Sequence, residues 1–365
     1  MLFEIAKESL LDGLSKAVPI TEKKSALPIL SHVLLDATGS ELVLIATDLS
    51  VGLRMQYQCE IKEAGILAVP CRKLFEMVKE LGAGAVHLSL TETGRLKIMS
   101  GKSVFELAGM DASDYPAWLS YEEVETAPLQ AEKLVFMLDK TLFACSSDES
   151  RFNLNGVLFE QNEDRIKLVA TDGHRLATID EDLGMVIPSR RVVVAKKNLI
   201  EMKRMLEGFR EEVRLGFESK NMIVRTDRFM MTVRLTEGDY PDYRKVIPKP
   251  GDRIVRADHG QVTQTLRRAA VLTSERSKGI TIDVRPGAME ITAVHPDLGI
   301  AQDVIDAHYE GESFSVIVNV NYLMDSLASV NTETVFFDFH EEGGPIVVHP
   351  EPAANYFNLV MPMRK

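Results

Sequence analysis

The chain has little cysteine, no membrane-length apolar run and no surplus of basic charge. Its three cysteines, Cys59, Cys71 and Cys145, are odd in number and widely spaced, which argues against a disulfide framework and favours a reducing cytosol. No stretch reaches the roughly 18 apolar residues of a membrane span. Residues 1–14 carry acidic side chains and lack the apolar core of a signal peptide. We therefore expect a soluble, cytoplasmic protein without membrane partners.

Recognisable catalytic and phosphate-binding motifs are also lacking. The sequence has no G-x-S-x-G, no P-loop and no metal-ligand spacing, and its eight histidines are scattered. One polar cluster, ATDGHRLA at 170–177, brings Asp172, His174 and Arg175 close together after an apolar run. A hydrolase with Cys145 as nucleophile and His174 as general base is one interpretation, supported by residue type alone. We predict no catalytic site, no metal and no cofactor.

Overall composition fits a multidomain globular protein. The 365 residues are 45% hydrophobic and 26% charged, and this length is typical of two or three domains. The formal net charge is −12. Taken alone, that charge argues against a protein that holds nucleic acid through many phosphate contacts.

The sequence repeats itself three times, with a period of about 124 residues. The segments at 32–47, 156–171 and 279–294 align without a gap, so that Ala46, Ala170 and Ala293 match. Each segment alternates apolar and polar residues in its second half and has turn-forming residues in the middle. Each copy is therefore predicted to contain a β-hairpin.

Amphipathic segments precede and follow each hairpin. In one of them Leu74, Val78 and Leu81 recur at helical spacing. Each copy then ends in apolar segments that we predict to form a pair of strands. The predicted helices cover residues 8–18, 71–81, 131–144, 195–206, 260–272 and 319–330.

Each copy, about 120 residues long, is large enough for its own core. Hairpins flanking short helices predict an α+β fold with mostly antiparallel sheet. Proline, glycine and charged residues collect near 120–128 and 247–252. We therefore predict three domains, at 1–120, 127–246 and 250–365.

Basic residues occur on several of these helices although the whole chain is acidic. They are either ordinary solvated helix faces or a weakly basic inner surface that tolerates a polyanion. The helix at 319–330 has no Lys or Arg, which favours the first interpretation for that copy.

Four segments together with the repeat resemble the bacterial sliding clamp family, the β subunit of DNA polymerase III. They are LPIL at 27–30, ATDGHRLA at 170–177, DYPDYRKVIPK at 239–249 and VMPMRK at 360–365. The resemblance covers the whole chain. It implies three tandem DNA-clamp domains and a head-to-tail homodimer, in which helices line a ring and antiparallel sheets lie outside.

Such a ring encircles duplex DNA without regard to sequence and acts as a processivity factor with no catalytic site of its own. A net charge of −12 suits this function, because strong phosphate binding would oppose sliding. The implied partners are the DNA polymerase III catalytic subunit, the clamp loader, and other polymerases and repair proteins that carry short clamp-binding peptides. The implied location is the cytoplasm, with nucleoid association during replication.

The resemblance also implies site residues. The peptide pocket carries over onto Leu154, Thr171, Gly173, His174, Arg175, Leu176, Pro241, Val246, Asn319, Tyr322, Val360, Met361, Pro362, Met363 and Arg364. The DNA-facing candidates are Lys24, Arg72, Lys73, Arg151, Phe152, Lys196, Lys197 and Arg204. The dimer interface candidates are Phe105, Leu107, Val271 and Leu272.

Two positions depart from the family pattern. Lys245 occupies a place where arginine is common, which alters any bidentate contact there. Asn153 follows Phe152 where some members have a second aromatic residue, which weakens a stacking role.

The polar cluster itself divides at Asp172. Asp172 follows Thr171 as Asp48 follows Thr47, so we predict that it bonds the local backbone in a turn. The sequence GHRLA at 173–177 does not recur in the first copy, which continues with Leu49, Ser50 and Val51, and we assign it to the peptide pocket. The main alternative function is a three-domain scaffold that binds partner peptides but not DNA.

Overall fold

The structure is a computed structural model that describes residues 1–21, 27–119, 121–148, 150–186, 188–249, 253–274, 278–340, 343–350 and 355–363. Two predicted site residues, Lys24 and Arg364, lie outside the described residues. The chain divides into two compact units. Unit one comprises Met1–Val135 and Lys197–Leu235, and unit two comprises Phe136–Lys196 and Thr236–Lys365.

The first copy contains nine strands and two helices among its described residues. In order they are β1 (Leu2–Ala6), α1 (Lys7–Ala17), β2 (His32–Asp36), β3 (Glu41–Thr47), β4 (Val51–Gln58), β5 (Glu60–Glu63), β6 (Ile66–Pro70), α2 (Cys71–Glu80), β7 (Ala85–Leu90), β8 (Arg95–Ser100) and β9 (Ser103–Ala108).

The second and third copies follow the same order without a counterpart of β5 among the described residues. The second has β10 (Thr126–Gln130), α3 (Ala131–Asp139), β11 (Gly156–Asn162), β12 (Arg165–Thr171), β13 (Arg175–Asp182), β14 (Arg190–Ala195), α4 (Lys196–Leu206), β15 (Glu212–Glu218), β16 (Asn221–Arg225) and β17 (Phe229–Thr236). The third has β18 (Arg253–Asp258), α5 (His259–Ala270), β19 (Gly279–Arg285), β20 (Ala288–His295), β21 (Gly299–His308), β22 (Phe314–Asn319), α6 (Val320–Ala328), β23 (Thr334–Phe339), β24 (Ile346–Pro350) and β25 (Tyr356–Val360).

The six predicted helices and three predicted hairpins are confirmed, but the end of each copy is different from the prediction. Each copy ends in three antiparallel strands rather than a pair. In each copy the third of these strands pairs with the edge of the second strand that would otherwise be open. Each hairpin is also extended by a further strand, β4, β13 or β21, that the sequence analysis did not identify.

Unit one contains a five-stranded and an eight-stranded antiparallel sheet. The first has the order β5-β1-β7-β8-β9. The second has the order β10-β15-β16-β17-β4-β3-β2-β6. Helices α1 and α2 contact each other and bury Leu10, Leu14 and Leu74 completely, so apolar burial is what holds them to the sheets.

Unit two contains a second eight-stranded antiparallel sheet, with the order β14-β11-β12-β13-β25-β24-β23-β18. A four-stranded sheet, β22-β19-β20-β21, belongs to the third copy. The end of β21 pairs briefly with β18. Helices α5 and α6 pack together against the core of this copy.

The copies are joined by the same strand pairing in both units. In unit one β4 of the first copy pairs with β17 of the second, with Leu53 opposite Met231. In unit two β13 of the second copy pairs with β25 of the third, with Ala177 opposite Asn358. In the first two copies the strand that follows the hairpin therefore pairs with the last strand of the next copy.

Candidate functional site

The turn between β12 and β13 is held by its own side chains. The Asp172 Oδ1 accepts hydrogen bonds from the backbone N–H groups of His174, at 2.9 Å, and Arg175, at 3.1 Å. The Thr171 hydroxyl accepts one from the N–H of Gly173 at 3.0 Å. Gly173 has a φ of 89°, a left-handed conformation that glycine adopts at little cost. The predicted turn role of Asp172 is confirmed.

Arg175 is fixed by contacts on every side of its guanidinium group. Its Nε donates to the Asp172 Oδ2 at 3.0 Å, its Nη2 donates to the Phe143 carbonyl at 2.7 Å, and its Nη1 pairs with Asp325. The group lies 4.8 Å from the centre of the Tyr322 ring. With its donors used internally, Arg175 is a structural tie beneath the surface rather than a free cation.

His174 and the C-terminal strand lie side by side. The His174 ring is exposed and stacks on Tyr322, with ring centres 5.9 Å apart and planes 11° from parallel. The His174 carbonyl accepts a hydrogen bond from the N–H of Met361 at 2.9 Å, and the N–H of Met363 donates to the Ile317 carbonyl at 2.7 Å. Residues 361–363 are therefore anchored beside the turn through their backbone, and their side chains are half-buried.

Two apolar clusters meet where the turn at 171–175 lies beside the C-terminal strand. One contains Leu176 and Tyr240 in its core and Leu154 at its margin. The other contains Val360, with Tyr322 packed against it. Leu176 and Val360 are buried, so their side chains lie inside these two clusters and not at the surface. Six predicted pocket residues around the turn stay exposed or half-buried: Leu154, His174, Tyr322, Met361, Pro362 and Met363.

The segment from Pro241 to Ile247 flanks the same surface. It contains a short 3₁₀ helix, Tyr243–Val246. Pro241 is exposed and Val246 is 45% exposed. Asn319, a predicted pocket residue, caps α6 by accepting a hydrogen bond from the Asn321 N–H at 2.9 Å. Lys245 is exposed, with its Nζ 3.5 Å from the Asp242 Oδ2.

The described residues do not support the hydrolase interpretation. Cys145 is only 3% exposed, and burial raises the pKa of its thiol to about 12. A thiol with that pKa is almost wholly protonated at neutral pH and a poor nucleophile. No group of three or more metal-ligating side chains occurs in the described part of the chain.

Three DNA-facing candidates come together in unit one. Arg72, Lys197 and Arg204 line a cavity of about 560 Å³, together with Asp48 and Glu201. The Lys197 Nζ lies 3.6 Å from the Asp48 Oδ2, and the Arg204 Nη1 lies 3.0 Å from the Glu201 Oε1. Both cations remain largely exposed, so these ion pairs can exchange with other anions.

The remaining candidates lie apart from this cavity. Lys73 is exposed and pairs with Glu76 at 2.8 Å. In unit two, Arg151 donates to the Asp172 carbonyl at 3.1 Å, and Phe152 is 56% exposed. Lys196 is half-buried.

Asn153, one of the two departures, has a structural contact. Its Nδ2 donates to the Asp239 carbonyl at 2.8 Å. This bond ties residue 153 to the start of the segment that flanks the groove, so the side chain is not available for stacking.

The dimer candidates lie on two open edges. Phe105 and Leu107 are half-buried on one face of β9, which pairs with β8 alone among the described strands. Val271 is 78% exposed at the end of α5, and Leu272 beside it is half-buried. Ile300 and Val304, which were not among the candidates, are exposed on β21. They alternate with half-buried Ala301 and Asp303, the two-residue period of a strand.

A chain of three α+β copies, joined edge to edge by antiparallel strands, has the features of a multidomain DNA clamp. Models of the DNA polymerase III beta subunit match it throughout: the N-terminal domain at 1–119, the central domain at 128–242 and the C-terminal domain at 244–364. The chain belongs to the DNA polymerase III beta subunit family. Its domain limits at 1–120, 127–246 and 250–365 stay a prediction.

Known relatives agree over their whole length. The chain is 33% identical to the beta sliding clamp of Proteus mirabilis over 366 residues, covering 100% of both chains. It matches the crystal structure of the DNA polymerase III subunit beta from Pseudomonas aeruginosa with a TM-score of 0.96 at 32% identity, covering 100% of both chains. A Pseudomonas aeruginosa sliding clamp bound to griselimycin matches with a TM-score of 0.95, 32% identity and the same coverage.

The chain is thus built of three tandem clamp domains with antiparallel sheets, and it is a processivity subunit of DNA replication rather than an enzyme. Within the described residues, no helix has the length and apolar character needed to cross a bilayer.

Proposed function

We propose that two copies of the chain associate head to tail into a ring that encircles duplex DNA, and that the groove beside His174 binds peptides of its partners. The observation that carries the ring is the strand pairing between copies. In the pairs β4–β17 and β13–β25, the strand after the hairpin of one copy pairs with the last strand of the next copy. Applied a third time, that rule pairs β21 of one chain with β9 of another.

The register of this third junction follows from the first two. Phe105 holds the position of Met231 and Asn358 in its copy, and Ala301 holds the position of Leu53 and Ala177. The same register therefore places Phe105 of one chain opposite Ala301 of the other. Val271 and Leu272, which directly follow α5, then cover Phe105 and Leu107 from the helix side, as the apolar core of an obligate interface requires.

A second copy closes this junction in our proposal. Closure within one chain gives a ring of three domains, whereas closure on a second chain gives six. The family resemblance implies the six-domain form, and a two-fold symmetric dimer satisfies both pairs of open edges at once.

The basic residues suit a ring that slides. Arg72, Lys197 and Arg204 are exposed but have carboxylates close by, so each phosphate contact competes with an internal ion pair. Contacts of that kind are weak and short-lived, and they carry no sequence information. The ring is held on DNA by its closure rather than by affinity.

The groove suits peptides with apolar side chains. Met361 and Met363 are flexible and polarisable, so they adapt to leucine or phenylalanine side chains of different partners. Partners of this chemistry include the DNA polymerase III catalytic subunit, the clamp loader, and other polymerases and repair proteins. They act on DNA in the cytoplasm, where we place the protein, associated with the nucleoid during replication.

Retention on DNA tests the proposal. The protein is loaded onto nicked circular plasmid by a clamp loader, washed with high salt, and retained protein is measured before and after linearisation. We expect retention on the circle and loss from the linear form. Equal loss from both forms contradicts a ring. Peptide binding without any retention on circles favours the scaffold alternative.

A further inference from the structure

We propose that Glu160 is a positioning residue for the peptide groove, because it holds the flanking segment 240–247 in place. The inference rests on the proposed peptide function and names a residue outside the groove itself. Glu160 lies on β11, and its side chain is only 11% exposed.

Three donors from two directions converge on the Glu160 carboxylate. The Tyr243 hydroxyl donates to Oε2. The Arg244 Nη2 lies 3.0 Å from Oε1 and 3.1 Å from Oε2. The Arg191 Nε lies 3.1 Å from Oε1, and the Arg191 Nη2 donates to the Tyr240 carbonyl at 3.4 Å. A largely buried carboxylate therefore ties β11 and β14 to both ends of one turn.

The segment held in this way carries Pro241 and Val246. Its other backbone hydrogen bonds are local, from Tyr243 to Pro241, from Lys245 to Asp242 and from Ile247 to Arg244. Local bonds of this kind shape a turn without fixing it to its surroundings. Tyr240, Tyr243 and Ile247 attach the segment to the body of unit two by packing in the cluster with Leu176. The Tyr240 hydroxyl also donates to the Val169 carbonyl at 3.4 Å, and Asn153 holds the Asp239 carbonyl just before the segment. The Glu160 network is the charged part of this attachment.

The first copy has the same segment without the network. Asp36 aligns with Glu160, but its Oδ1 accepts from the N–H and the hydroxyl of Thr38, at 3.0 Å and 2.6 Å. Trp118 aligns with Tyr243, and exposed Leu119 aligns with Arg244. A copy of this fold therefore forms without the carboxylate network, and the network occurs where the segment flanks the groove.

Removal of the Glu160 charge tests the proposal. Glu160→Gln keeps the shape of the side chain but leaves Arg191 and Arg244 without their carboxylate, so the segment loses the charged part of its attachment. Binding of a fluorescein-labelled C-terminal peptide of a bacterial DNA polymerase III catalytic subunit is measured by anisotropy, well below the unfolding midpoint. We expect about three- to tenfold weaker binding, with dimerisation and retention on circular DNA unchanged.

Asp180→Asn is the matched control. Asp180 pairs with Arg165 at 2.9 Å and Lys167 at 3.5 Å, and it lines the same charged cavity as Glu160. Its side chain bonds to neither of the arginines that hold the segment. We expect peptide affinity within twofold of the unchanged protein. An equal loss in both variants would show a general charge effect and overturn the inference.

A second variant and a double-mutant cycle distinguish a role in positioning the segment from an effect on the stability of the fold. Tyr243→Phe removes only the hydroxyl, and we expect about two- to threefold weaker binding, even if Glu160→Gln folds poorly. When Val246→Ala is already present, Glu160→Gln should weaken peptide binding less, because both substitutions act through the segment 240–247. An undiminished effect contradicts positioning. If the unchanged protein does not bind the peptide, the proposed function fails; if it binds and Glu160→Gln binds equally, only this inference fails.

Discussion

The turn at 47–51 in unit one and the turn at 171–175 in unit two have the same backbone design. The Thr47 hydroxyl accepts from the Leu49 N–H at 2.9 Å, and the Asp48 Oδ1 accepts from Ser50 at 2.9 Å and Val51 at 2.6 Å. Leu49, like Gly173, has a positive φ, of 70°. Each turn leads into the strand that joins its copy to the next.

The two turns differ in what their side chains do. In the first, the second oxygen of Asp48 lies near Lys197 in a cavity lined by cations. In the second, the second oxygen of Asp172 holds Arg175, and Arg175 in turn supports Tyr322. One backbone design thus lies beside a cation-lined cavity in one place and beside apolar clusters in the other. The side chains, not the backbone, make the difference between the two turns.

The largest effect is expected where the junction is completed between chains. Phe105→Glu puts an unpaired charge into the proposed β9–β21 interface, and we expect the dimer dissociation constant to rise by at least about a hundredfold. Light scattering at micromolar concentration would then report a monomer. Leu90→Glu, in the same sheet but away from its edge, is the control. A dimer of undiminished stability would argue against a third junction of this kind.

The groove should lose its ligand when its C-terminal wall is removed. Met363→Glu, or deletion of 361–365, should weaken binding of a polymerase-tail peptide by about a hundredfold, because the apolar surface beside His174 is lost. The free energy of unfolding should change little, since the Met363 side chain is only half-buried. Met99→Glu, at a half-buried methionine in unit one, is the control. Unchanged peptide affinity would refute the pocket assignment.

Substitution of the residue with positive φ should change the free energy of unfolding in opposite directions at the two turns. Gly173→Ala forces alanine into a positive φ and should destabilise unit two by about 1–2 kcal/mol. Leu49→Gly relieves the same strain in unit one and should be neutral or stabilising by up to about 1 kcal/mol. Thermal unfolding of the two variants measures the difference. Destabilisation of similar size in both would mean that the turns are not equivalent.

The smallest effect is expected for DNA binding when Lys197, which lies near the turn at 47–51, is replaced. Lys197→Gln should reduce the salt dependence of DNA binding by about one unit of slope, with affinity changed about twofold at moderate salt. Lys102→Gln, at an exposed position in the first copy, should leave the slope unchanged. A large loss of affinity would mean that the ring grips DNA rather than sliding on it.

The parts of the fold that depend on local periodicity were predictable from sequence. The six helices and three hairpins follow from the spacing of apolar residues and from the three-fold repeat, and so does the turn role of Asp172. Strands β4, β13 and β21 were missed because their pairing partners lie in another copy or across a polar turn. A pattern of neighbouring residues does not contain that information.

The membership of the candidate site stays a prediction that rests on the family resemblance, and the contacts of its residues could not be predicted from the sequence. Leu176 and Val360 were predicted pocket residues, but both are buried, Leu176 in the cluster with Tyr240 and Val360 in the core of the third copy. The partners of Arg175, Phe143 and Asp325, are distant in sequence. Glu160 aligned with Asp36 as an ordinary hairpin residue, and its network became visible only once Tyr243 and Arg244 were placed beside it.

The strand pairing between copies has a consequence for how such a chain can change over time. Leu53 faces Met231 at one junction and Ala177 faces Asn358 at the other, so the joints depend on main-chain bonds and tolerate unrelated side chains. Mutations can then accumulate independently in each copy without separating it from its neighbour. That freedom allows duplicated domains to diverge until one acquires a docking role that its siblings never had.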